Sequence, residues 1–334
     1  CAFIINAGTR DEEKEEHGIA HFIEHALFKG TKNRKSYHIL NRMDSVGGEI
    51  DAYTTKEITC FYSSFLSEYY DRAIELLNDI LFHSEFPEKE LIKEKEVVID
   101  EIKVYLDSPS DQIYDDFESQ VFKGHELGNG ILGTEESIRK LKREQLFTFT
   151  NRMYQPSNMV FASVGNISSK KLKRILEKRI TTSQSISSSS NKRSGYNSNL
   201  VQTIKVPKPT YQTHCIIGNT AYGLHDKKRI PFILLNNILG GPAMNSILNL
   251  KVREKYGYTY TIESNYATYS DSGLFSIYLA ADQKYIDKSV QAVLRELKFL
   301  RDKKMSSSKI HQYKQQLKGQ LALGRESNIN ILLS

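Results

Sequence analysis

The chain has 334 residues, 39% hydrophobic and 26% charged, enough for about two domains with a substantial core, which excludes a peptide hormone or a disulfide mini-protein. No apolar run approaches the roughly 20 residues of a membrane-spanning helix, so no membrane span is expected. Its 46 Lys and Arg against 40 Asp and Glu leave a net charge of +6, but the two signs are interspersed with no basic block, so no nucleic-acid partner is expected. Taken in chain order, apolar periodicity predicts strands at 1–8, 49–55 and 58–66, amphipathic helices at 70–81 and 91–106, a strand at 158–166 and a helix at 168–178. Residues 181–200 are dominated by Ser, Asn and Thr and read as a flexible linker. Beyond it come strands at 213–221, 258–270 and 273–281, helices at 230–239, 246–255 and 286–300, and further helix after Ser306.

Runs of antiparallel-looking strands with segregated helices predict an α+β fold. An internal similarity refines it. The segment 61–77 lies over 275–293 so that Tyr70-Asp71-Arg72 meets Ile286-Asp287-Lys288, an offset of 216 residues. The expectation is two related units, each an antiparallel-rich mixed sheet with helices on one face. They divide as an N-terminal domain at 1–182, a Ser/Asn-rich linker at 183–199 and a related C-terminal domain at 200–334. Because the chain opens inside a strand pattern and stops abruptly, it is expected to be a piece of a longer product, with the second domain truncated.

The most informative residues are His21, Glu24 and His25 in HFIEH. On a helix, positions i and i+4 share a face one turn apart, so two imidazoles can reach one ion with Glu24 beside them. This is the inverted order of the zinc peptidase signature. His17 also stands four residues before His21, but Gly18 next to it suggests that the helix is only starting there. A catalytic zinc needs a third protein ligand and an open position for water. The helix at 91–106 offers Glu94, Glu96 and Glu101, of which Glu94 and Glu101 are two turns apart on one face.

GIAHFIEHALFKGTKNR, the acid-bearing helix with Glu101 76 residues beyond His25, and the later VREKYGYTYTIES together resemble the pitrilysin/insulinase family of zinc metallopeptidases. Within it the mitochondrial processing peptidase branch and its bacterial relatives are most similar, and the resemblance covers most of the chain. It implies one Zn2+ per chain held by His21, His25 and Glu101, with Glu94 supporting the site and Glu24 as general base. The family segment GGxxxAxT corresponds to Gly47 through Thr54. It implies an edge strand along which an extended peptide is bound by Asp51, Ala52, Tyr53 and Thr54. HELGNGILGTEE, from His125, matches a further family pattern, and Asp111 and Asp115 stand where processing peptidases place acids that read a substrate arginine. In the second half the family's arginine and tyrosine, which stabilise the tetrahedral oxyanion, fall on Arg253 and Tyr260, with Tyr256 and Tyr258 as confusable neighbours. The 216-residue offset puts Asn237 and Gly241 opposite His21 and His25, so the second half keeps the fold without the metal.

The resemblance therefore implies a zinc metalloendopeptidase that hydrolyses peptides or unfolded segments held in extended form. A closed chamber in this family needs four such units, which implies a homodimer, or a heterodimer with a degenerate homologue. The rival is a non-catalytic structural or interaction subunit of a peptidase-like complex. The three scattered cysteines, Cys1, Cys60 and Cys215, form no disulfide framework, which permits a reducing compartment. A composition suited to water and a sequence showing no signal favour a cytoplasmic location.

Overall fold

A computed structural model describes residues 1–180, 193–196 and 201–333. The predicted linker at 183–199 lies outside the described residues except for 193–196. The chain forms two units that are not cut at one point in the sequence. Unit 1 comprises Cys1–Tyr105, Asn129–Arg193 and Glu326–Ser334; unit 2 comprises Leu106–Gly128 and Ser194–Arg325. Residues 106–128, predicted as part of the first domain, thus belong to unit 2.

In chain order, unit 1 begins with β1 (Ala2–Ile5), α1 (Ile19–Ala26), α2 (Ser36–Asp44), β2 (Glu49–Thr54), β3 (Thr59–Ser64), α3 (Tyr70–Phe82) and α4 (Glu88–Leu106). After α5 (Pro109–Val121), which falls in unit 2, it resumes with α6 (Glu135–Lys140), α7 (Arg143–Met153), β4 (Met159–Ala162) and α8 (Ser169–Arg179). The sheet order is β2-β3-β1-β4, antiparallel throughout, so β2 is an edge strand. Its inner register is fixed by pairs running from Glu49↔Ser64 to Thr54↔Thr59. The core gathers Ile5 of β1, Phe61 of β3, Phe22 and Ile23 of α1, Ile80 of α3 and Ile99 of α4. Burying a side chain of this kind contributes roughly 1.5–3 kcal/mol, and the β1 pattern, apolar at nearly every position, follows from its central place.

Unit 2 continues with β5 (Thr213–Ala221), α9 (Arg229–Gly240), β6 (Thr259–Thr268), β7 (Gly273–Ala281), α10 (Gln283–Asp302) and α11 (Ser307–Gly324). Its sheet has the order β5-β7-β6, again antiparallel. Strand, helix, edge strand and central strand follow one another as β1, α1, β2 and β3 do in unit 1, so the architecture is α+β in both units. The helix predicted at 246–255 is wound as a π-helix over Asn249–Glu254, a wider turn that no apolar spacing announces. Helix α4 stops because Pro109 occupies the first turn of α5 and forces Ser108 into an extended conformation. Helices α6 and α7 are absent from the predicted elements; both are short, and only Leu146, Phe149 and Met153 of α7 are buried.

Candidate metal centre and active site

Helix α1 opens at Gly18, whose φ of 86° is left-handed. The first free N–H groups of a helix need acceptors, and here the buried Glu12 carboxylate takes Gly18 N at 2.9 Å and Ala20 N at 3.0 Å. Burial pushes the Glu12 carboxyl well up, against the pull of those two N–H groups. A second brace is backbone on backbone. A Cβ on Gly18 would lie 2.9 Å from Gly133 Cα, and one on Gly133, at φ 73°, equally close to Gly18 Cα. Thus the ILGTEE stretch presses against the start of the motif helix, and neither position has room for a side chain.

That bracing aims His21 and His25 together, with ring centroids 4.7 Å apart. Glu101, on α4, faces both: its Oε1 is 3.7 Å from His21 Nε2 and its Oε2 is 3.5 Å from His25 Nε2. One donor atom from each of His21, His25 and Glu101 lies within 4.8 Å of the others. The separations exceed hydrogen-bond length, so the three groups converge without satisfying one another. His21 is only 7% exposed and its Nδ1 has no hydrogen-bond partner among the described residues. Burial, helped by the neighbouring His25, pulls the His21 pKa down to about 3 and keeps the ring neutral with a lone pair to offer. Two imidazole nitrogens and a carboxylate oxygen are a donor set that suits zinc, which in catalytic sites takes three protein ligands and a water.

The surroundings of His25 are acidic. Its Nδ1 donates to Glu94 Oε1 at 2.8 Å, which leaves Nε2 turned towards Glu101. Burial lowers the His25 pKa, but the Glu94 hydrogen bond and the charges of Glu101, Glu94 and Glu24 outweigh it and raise the value, so positive charge at this ring is favoured. Glu94 is 5% exposed; burial works against its ionisation, yet the hydrogen bonds from His25 and Lys29 hold it below the usual carboxylate range. His17 stands outside the cluster, with Nε2 3.3 Å from the Gly130 carbonyl oxygen. Glu96 is also elsewhere, paired with Arg139 at 2.7 Å.

Glu24 sits on the same helix face, its Oε2 accepting from Thr54 Oγ1 at 2.5 Å. Burial raises its pKa, partly offset by the Thr54 hydroxyl and by His25. Thr54 ends the edge strand β2, so a residue predicted as a substrate contact has its hydroxyl engaged on the candidate base. Along the same strand Asp51 accepts from Tyr62 Oη at 2.9 Å and from the Ala52 N–H at 2.8 Å. Tyr53 follows in the register opposite Cys60.

The remaining predicted residues belong to unit 2. Asp111 and Asp115 lie on α5, where the Ser108 hydroxyl donates to Asp111 Oδ2. Arg253 lies in the π-helical turn with its guanidinium 5.2 Å over the Tyr260 ring, and Tyr260 is 79% exposed. Tyr256 and Tyr258 are instead spent on ring stacking, 5.1 Å from each other, with Tyr285 5.3 Å from Tyr258. Sequence reasoning missed Lys29, Glu12 and the link from Thr54 to Glu24. Only Lys29 left a legible signal, since it stands four residues after His25.

Comparison with known proteins agrees with this architecture. The model of the insulinase family, peptidase family M16, matches residues 1–135, and that of the M16 inactive domain matches residues 140–317. An uncharacterized zinc protease of Bacillus subtilis, YmxG, is 35% identical over 325 residues, 97% of this chain and 78% of its own. An uncharacterized zinc protease of Rickettsia felis is 33% identical over 97% of this chain and 77% of its own. The crystal structure of a protease from Helicobacter pylori shares the fold, with a TM-score of 0.86 at 20% identity over 99% of this chain and 81% of that one. The chain belongs to the pitrilysin/insulinase (M16) peptidase family, which supports a peptidase-type function. No helix among the described residues is long and apolar enough to cross a membrane.

Proposed function

We propose that the chain is a zinc-dependent endopeptidase acting on peptides or unfolded segments held in extended form. The observation that carries this reading is the convergence of His21, His25 and Glu101 within 4.8 Å, with Glu24 on the same helix. His21 and His25 through their Nε2 atoms and Glu101 through its carboxylate would hold one zinc per chain. When bound, zinc supplies Lewis acidity there, which polarises a scissile carbonyl and acidifies a water.

The protein's own groups do the rest. Glu24, its carboxyl raised by burial, takes a proton from the attacking water and returns it to the leaving amine. Thr54 fixes the Glu24 carboxylate through Oε2, leaving Oε1 for that proton. The substrate backbone adds to the outer edge of β2 along Asp51–Thr54, a mode that demands an extended chain. Arg253 and Tyr260 are proposed to stabilise the oxyanion, supported by the guanidinium stacked over an exposed phenol ring. The reading also takes in the processing-peptidase-like branch, a homodimer, and recognition of a basic substrate side chain by Asp111 and Asp115.

Hydrolysis of a quenched, extended peptide by the native chain and by Glu24→Gln, each checked for metal content, tests the proposal. Cleavage by the native chain alone, with zinc in both, supports it. Zinc in both and cleavage by neither favours the non-catalytic interaction subunit.

A further inference from the structure

Lys29 lies one helical turn beyond His25, in a 3-10 turn that continues α1 through Leu27–Lys29. Its Nζ is 2.7 Å from Glu94 Oε2, while the other oxygen of the same carboxylate, Oε1, takes His25 Nδ1 at 2.8 Å. We infer that Lys29 is a positioning residue for the candidate metal centre: it anchors Glu94, and through Glu94 it fixes the plane of the His25 ring. The inference rests on the reading of His25 as a zinc ligand.

A carboxylate held through one oxygen turns about its last bond and about its stem, and the imidazole bonded to it turns with it. Contacts on both oxygens, from partners one turn apart on one helix, leave the carboxylate a single plane. Glu94 is buried, so water does not supply the second contact. The side chain of Lys29 is itself 25% exposed and its ammonium is seated on Glu94 Oε2, so its influence on His25 passes through that carboxylate. Groups that orient a metal-bound histidine in this way are worth about 10–100-fold in metal affinity. Lys29 stands one bond further out, so a loss of about 10-fold is expected when it is removed.

The test uses the full chain and two readouts that do not depend on turnover: zinc affinity by chelator competition, and the imidazole 15N shifts of His25 in metal-free protein. Variants are Lys29→Met, Lys29→Arg, Glu94→Gln and the double variant, with Lys29→Gln as a second removal should Lys29→Met not fold. The expected result is about 10-fold weaker zinc binding and altered His25 15N shifts in Lys29→Met. Lys29→Arg should restore both, and Lys29→Met should add no further loss in the Glu94→Gln background. Unchanged zinc affinity in Lys29→Met, or losses that add in the double variant, overturns the inference and leaves the metal reading standing. A native chain that binds zinc no better than His25→Ala overturns the metal reading and the inference with it.

Discussion

Helices α1 and α9 stand at the same point in their units, each between a first strand and an edge strand, yet their ends differ in kind. Helix α1 presents His21 and, one turn on, Glu24 and His25, and Glu24 reaches across to Thr54 at the end of β2. With the 216-residue offset, the matching positions of α9 are Asn237, Gly240 and Gly241. A Cβ at Gly240 would lie 2.6 Å from the Ser264 backbone nitrogen of β6, and one at Gly241 2.5 Å from Asn237 Oδ1. The Ser264 hydroxyl also donates to the Asn236 carbonyl at 3.0 Å. One scaffold therefore serves two ends: in unit 1 side chains fill the gap between helix and edge strand, and in unit 2 the backbones close it. Restoring histidines to α9 would not restore a site, because the position of the base has no room for even a methyl group.

The two helix ends are expected to differ most in the metal they hold. The native chain is expected to carry one zinc, and His25→Ala none, by metal analysis after dialysis against trace zinc. A variant that keeps its full complement would mean that the metal sits elsewhere. Glu24→Gln keeps the metal and is expected to lower kcat/KM by about 10²–10⁴-fold, the range for removal of a general base.

A smaller effect separates the two helix ends through their strands. Thr54→Val removes the hydroxyl that holds Glu24 while nearly conserving volume, so kcat is expected to fall about 10-fold with zinc content and KM little changed. Thr54→Ser should recover most of the loss. A rise in KM with kcat unchanged would instead make Thr54 a substrate contact, as its place in the GGxxxAxT segment suggests.

How much of this was legible in the sequence varies by residue. His21, Glu24, His25 and Glu101 were readable because helix periodicity turns spacing into a shared face, and the resemblance supplied the long-range partner. The Thr54 to Glu24 bond was not, because it joins a strand end to a helix across 30 residues and depends on the hairpin register. The unit boundary was hidden for a related reason: α5 lies between two segments of unit 1 in the chain, and nothing in its own pattern says that it contacts β5. The close approaches at Gly18, Gly133 and Gly240 are equally silent, since a glycine needed for contact looks like any other.

Those close approaches give the next prediction. Gly240→Ala drives a methyl group into the backbone of β6 and is expected to destabilise the chain by about 1–3 kcal/mol, read from denaturant midpoints. Zinc affinity should stay unchanged, because the clash lies in unit 2. A neutral substitution would show that α9 can lift off β6, and the closed end would then be a matter of sequence alone.

The smallest effect expected is an acid limb of stability belonging to unit 1. Asp79 is buried on α3, and its carboxylate accepts from Thr31 Oγ1 at 2.8 Å, Asn33 Nδ2 at 2.6 Å and an Arg34 guanidinium nitrogen at 2.5 Å. Burial alone would raise its pKa; those three donors outweigh it and hold the value below that of a free carboxyl. A depressed folded-state pKa gives stability that is fully present above the unfolded value of about 3.9 and is lost as pH falls through the folded one. The offset places the exposed Arg295 at the matching position of α10, where no such acid exists. Asp79→Asn is therefore expected to cost about 1–2 kcal/mol at pH 7 and progressively less below pH ~4, as the native carboxylate takes up its proton. Denaturant midpoints of native chain and variant, measured from pH 7 down to pH 3, should draw closer together towards the acid end. A gap that stays constant over that range would mean that shape and packing, not the charge of Asp79, hold the loop that follows α1.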